Sequence, residues 1–110
     1  MTSSRRARES LETVFRAGLR AVDAAECLRR AIRREAGDLR LAGEPLLPGM
    51  RLRVLAAGKA AAAMAGPLEQ QLGQRIAVGL CVTKEGHGGP LQRFALHEAG
   101  HPIPDARSVA

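Results

Sequence analysis

Only two lysines occur in this chain, Lys59 and Lys84, and each closes an apolar, β-rich run. The chain has 17 Lys plus Arg, so every other basic residue is arginine. A composition so biased toward arginine keeps lysine where a compact point charge is wanted against one phosphate or carboxylate oxygen. Gly58 precedes Lys59, and a glycine at a strand end lets the backbone come close to a ligand. A helix starting there aims free N–H groups and its positive dipole end at an anion. The chemistry expected of Gly58 and Lys59 is therefore anion binding. No P-loop is present, because GxxxxGK[ST] is absent and Ala60 stands where Ser or Thr would hold Mg²⁺. A GxGxxG dinucleotide fingerprint is also absent.

Lys84 opens a glycine-rich stretch, Thr83 to Pro90, in which His87 lies beside Gly86, Gly88 and Gly89. His87 is there either an exposed loop histidine without a role or a movable ligand contact. His101 stands between Gly100 and Pro102, and two prolines frame the backbone. It either hydrogen-bonds its own loop or faces a ligand. Asp105 is first a helix cap and second a contact for Mg²⁺ or a substrate hydroxyl. Three histidines and two cysteines without paired spacing give no metal site.

These residues need elements to position them. Leu52 to Ala57 is a short strand ending at Gly58, and Ala60 onward is a strong helix former. Pro67 either kinks that helix or opens a fresh turn, and Gly73 stops it. Ile76 to Val82 is almost wholly apolar, as in a strand covered on both faces. Arg93 to Glu98 is a third candidate strand. Ligands bind beyond the carboxyl ends of strands in open α/β sheets. The loops at Gly58, at Thr83 and at Ala99 would then open on one edge, unless the third strand runs antiparallel. Upstream, Leu11, Val14, Phe15, Leu19 and Val22 predict a helix over 10–22 with one buried stripe. Asp23 and Glu26 form a capping-box pair starting a second helix that ends near Gly37. Gly43, Pro45, Pro48 and Gly49 mark a loop, and residues 1–10 are expected to be a disordered start. The fold class is α/β: an incomplete Rossmann-like domain with a mostly parallel sheet and flanking helices.

The length of 110 residues allows one small domain. With two Phe, no Trp and no Tyr, the core must be filled by Ala, Leu, Val and Ile. The formal charge is +6, yet the early arginines alternate with acids at helical spacing, as solvated helix faces do. No aromatics accompany them for base stacking, so a nucleic-acid partner is not expected. Nor is a membrane partner, since no apolar run is long enough to span one. Cys27 and Cys81 are read as small apolar residues of a reduced, cytoplasmic protein.

Three segments, Val54-Leu55-Ala56-Ala57-Gly58-Lys59-Ala60, Val82-Thr83-Lys84-Glu85-Gly86-His87-Gly88 and Glu98-Ala99-Gly100-His101-Pro102-Ile103-Pro104-Asp105, resemble the N-terminal region of glycerate 2-kinases. The likeness runs from about Leu11 to the end, with the three loops in register. This region is the MOFRL-associated domain, and some members carry the older label hydroxypyruvate reductase. The resemblance implies ATP-dependent phosphorylation of D-glycerate to 2-phosphoglycerate with Mg²⁺, in a cleft between this domain and a C-terminal MOFRL domain. It places the family's catalytic lysine on Lys59 and substrate or nucleotide contacts on Gly58, Lys84, His87, Gly88 and His101. Pro67 departs from the pattern. The rest of the domain, the MOFRL domain and the second catalytic basic residue are not in the sequence. Either the gene product is truncated or the remainder lies on another chain, and the 110 residues alone are expected to be inactive. The alternatives are an anion- or nucleotide-binding α/β module without catalysis and a hydroxypyruvate reductase.

Overall fold

A computed structural model describes residues 2–109. Its first helix, α1 (Ser3–Ala21), starts much earlier than the hydrophobic pattern indicates. Thr2 caps it, its hydroxyl accepting the Arg5 amide at 3.4 Å, and Arg5 pairs with Glu9 one turn on at 3.1 Å. Cap, i,i+4 pair and a run of good helix formers order residues 2–10 of the segment expected to be disordered, Met1 lying outside the described residues. The apolar stripe also departs from expectation: Leu11, Val14, Phe15, Leu19 and Val22 are all exposed. Helix α1 makes a light contact with α2 (Ala24–Ala31) and has no buried residue among those described. Helix α2 begins as the sequence indicates, the Asp23 carboxylate accepting the Glu26 amide at 3.1 Å.

Helix α2 does not reach Gly37. From Ile32 the chain forms an antiparallel meander of β1 (Ile32–Glu35), β2 (Asp38–Leu41) and β3 (Glu44–Leu46). Two-residue turns join the strands, Ala36-Gly37 and Ala42-Gly43, with all four φ angles positive as type I′ turns require. The meander puts Ile32, Leu39 and Leu46 into the core. The segment expected to be a loop thus contains β3.

The second sheet positions the candidate site. Strands β4 (Leu52–Ala57), β5 (Ile76–Lys84) and β6 (Phe94–Ala99) lie in that order, all parallel. Helix α3 (Ala61–Leu72) crosses from β4 to β5 and runs through Pro67 without breaking. Ala61, Ala65, Leu68 and Leu72 of α3 pack with Ile76, Cys81 and Phe94 of the sheet, which is the main core. Strand β5 extends past Val82, because Thr83 and Lys84 pair with Glu98 and Ala99 of β6. Coverage on both faces is not observed: Leu55 is 71% and Val78 58% exposed on the side away from α3. No helix of the described residues is long and apolar enough to cross a membrane.

Candidate active site

Because β6 is parallel to β5, all three strands deliver their following loops to one edge. At the end of β4, Gly58 adopts φ 114°, a conformation that side chains with a Cβ rarely take. Its N–H donates to the Val82 carbonyl at 2.9 Å, and its carbonyl accepts the Ala61 N–H at 3.1 Å. The Thr83 hydroxyl, on a residue only 2% exposed, donates to the Lys59 carbonyl at 3.3 Å. Those bonds stitch the Lys59 turn to β5. Helix α3 begins at Ala61, two residues beyond Lys59, and no side chain caps it. Its first amides therefore lack a side-chain partner at the mouth of the turn.

A cleft of about 130 Å³ at this edge is lined by Gly58, Lys59, Thr83, Lys84, Gly100 and His101, among others. A neighbouring hollow of about 400 Å³ shares Lys84, Gly100 and His101 with it and adds Glu85. The three loops so meet, and both lysines share one cavity wall. His87 and Gly88 line neither hollow. The loop after β5 turns back on itself, the His87 amide donating to the Lys84 carbonyl at 2.9 Å. Glu98 then holds it, accepting the Gly86 and Gly88 amides at 3.4 and 3.2 Å.

The third loop is fixed by charge. Asp105 caps a short 3₁₀ turn (Ala106–Ser108), and Arg107 bonds both Asp105 at 2.7 Å and Glu85 at 3.0 Å. The Arg107 hydrogen bond holds the Asp105 carboxyl below its ordinary value. The same partners push the Arg107 guanidinium up. Gly100 leaves room for this arrangement, since a Cβ there would sit 2.7 Å from an Asp105 oxygen and from the Ile103 carbonyl. The His101–Pro102 peptide is cis. Thr83, Arg107 and Ser108 were not singled out by the sequence; a threonine ending an apolar strand is the one signal that points to the first.

Two lysines and a histidine suit an anion. They do not suit a metal ion. The nearby carboxylates are committed, Glu85 and Asp105 to Arg107 and Glu98 to loop amides. Among the described residues no group of three or more His, Cys, Asp or Glu is placed to hold a metal.

These features define an α/β domain with a basic cleft at the carboxyl ends of its parallel strands. The chain belongs to the family described as "Domain of unknown function (DUF4147)", whose model matches residues 10–110. Over 60 residues, 54% of this chain, it is 45% identical to the D-glycerate 2-kinase of Thermotoga maritima. A solved structure from Pyrococcus horikoshii OT3 aligns over 94% of the chain with a TM-score of 0.78 and 32% identity. The crystal structure of a Thermotoga maritima glycerate kinase aligns over 90% with a TM-score of 0.66 and 32% identity. The match takes in 14% of the length of the curated Thermotoga relative, and 23% and 22% of the two crystallised chains.

Proposed function

We propose that this chain supplies the anion-binding wall of a glycerate 2-kinase active site, in which Lys59 steadies the phosphoryl group passing to the 2-hydroxyl of D-glycerate. The observation that carries this reading is the meeting of Lys59, Lys84 and His101 on one cleft at the carboxyl edge of a parallel sheet. Phosphoryl transfer asks mainly for positioning and charge stabilisation, which this set of groups offers. ATP, when bound, brings the group to be transferred. Lys59 holds phosphate oxygens, with Gly58 leaving the turn open to them, while Lys84 and His101 face the glycerate carboxylate. His87 and Gly88 contribute through the loop that Glu98 fixes beside Lys84. The residues present do not fit Mg²⁺, so no step is assigned to it. A cytoplasmic location goes with this reading, as does a second wall from outside these 110 residues, without which the chain binds but does not turn over.

Titrating ATP and D-glycerate into the isotope-labelled chain tests it by NMR. Amides of Gly58, Lys59, Lys84 and Gly100 are expected to shift, and Lys59→Ala to weaken ATP at least about ten-fold, the worth of one charge-assisted bond. Shifts confined to other residues, or unchanged affinity in Lys59→Ala, would refute the assignment. Turnover by the purified chain would refute the need for a second wall.

A further inference from the structure

The opposite edge of the parallel sheet carries a second concentration of charge. Arg51, Arg75 and Arg93 each occupy the position directly before a strand, β4, β5 and β6 respectively. Parallel strands bring these three positions to the amino edge, away from Lys59. All three arginines line one cleft of about 430 Å³, together with Gly49, Met50 and Gln74. No carboxylate lines it, and among the described residues none of the three is ion-paired. Glu69 of α3 is bonded to backbone, accepting the Gln92 and Arg93 amides at 3.0 and 2.9 Å. Arg75 is anchored by neutral partners, donating to the Leu46 and Leu47 carbonyls at 3.3 and 3.4 Å, so its charge stays uncompensated.

Three arginines, of which Arg51 and Arg93 are exposed, line one open cleft without a carboxylate, and a multiply charged anion would balance their charge there. The planar fork of arginine fits phosphate oxygens in pairs. A volume of about 430 Å³ falls within the range of small-molecule pockets. The lining has no aromatic side chain on which a nucleobase could stack. From these observations we infer a second anion site, formed by Arg51, Arg75 and Arg93, for a small ligand bearing two or more phosphate charges. It is independent of the proposed kinase chemistry and lies on the other edge of the sheet.

The test titrates sodium tripolyphosphate into the labelled full chain at low salt and follows amide shifts. Gly49, Met50 and Gln74 are expected to move in the wild type and equally in Lys59→Ala/Lys84→Ala. In Arg51→Ala/Arg93→Ala they are expected to respond at least ten-fold more weakly, while Gly58 and Gly100 behave as before. Among the described residues neither Arg51 nor Arg93 makes a side-chain hydrogen bond, so the double variant should fold; Arg51→Gln/Arg93→Gln keeps the stems and checks this by circular dichroism. The inference is overturned if the arginine variants bind as the wild type does. It is equally overturned if the lysine variant abolishes the shifts at Gly49 and Gln74. Tighter binding of a short single-stranded DNA than of tripolyphosphate at matched salt would replace the small ligand with nucleic acid.

Discussion

Asp105 accepts the Arg107 amide at 3.0 Å and the Arg107 side chain at 2.7 Å, and so ties the loop carrying His101 to the end of β5 through Glu85. The Arg107 hydrogen bond is the largest cause of its lowered pKa, ahead of the opposing desolvation. A carboxyl whose folded pKa is depressed contributes stability that is present above its unfolded value and lost as pH falls through the folded one. The loop should therefore persist below pH 3.8, the ordinary value for the group, and loosen only further into acid. A carbon-detected titration of Asp105 checks this: a midpoint below 3.8 that rises in Arg107→Ala is expected. At this scale the two lysines were legible because arginine filled every other basic position, and Gly58 because it ended a strand. The roles of Thr83 and Arg107 were not, since each depends on a partner more than twenty residues away, Lys59 and Glu85 respectively.

Helix α3 covers one face of the β4–β5–β6 sheet, and the two faces should answer differently to the same kind of truncation. Ile76 is 2% exposed in the core under α3, whereas Leu55 is 71% exposed on the bare face. Urea unfolding of Ile76→Ala should show a loss of about 2–5 kcal/mol. Leu55→Ala should fall within about 0.5 kcal/mol of the wild type. Equal losses would mean that the bare face is covered in solution. Strands β4, β5 and β6 were readable from apolar runs bounded by glycines, and the parallel pairing of β4 with β5 agreed with the helix between them; the direction of β6 was not readable, because only a loop joins it to β5. The meander was not, because Ala36-Gly37 and Ala42-Gly43 lack the Asn or Asp that marks such turns. Its strands are also short and rich in Arg and Glu, and they follow a helix without a break. The stripe on α1 was correctly periodic, but periodicity does not say what, if anything, packs against it.

The molecule measures 59 × 46 × 20 Å with a radius of gyration of 18.1 Å, where a compact chain of this length has about 13 Å. Its accessible surface is 8048 Å², against about 5,900 Å² for a compact protein of its mass. The excess of about 2,000 Å² includes the stripe of α1 and the bare sheet face, and it is of the size that stable interfaces bury. The two sheets also differ in how far along the chain their partners lie. Strands β1 to β3 close through two-residue turns, whereas Leu52 meets Ile76 only across the whole of α3. Hairpins form in about 1–10 μs, and pairing across long connections waits on loop closure. The meander is thus placed to form early and the parallel sheet late. In stopped-flow experiments Leu39→Ala should act mainly by slowing folding and Ile76→Ala mainly by speeding unfolding. The opposite partition would reverse the order. On this timetable both basic clefts, which need all three parallel strands in place, are among the last features of the chain to exist.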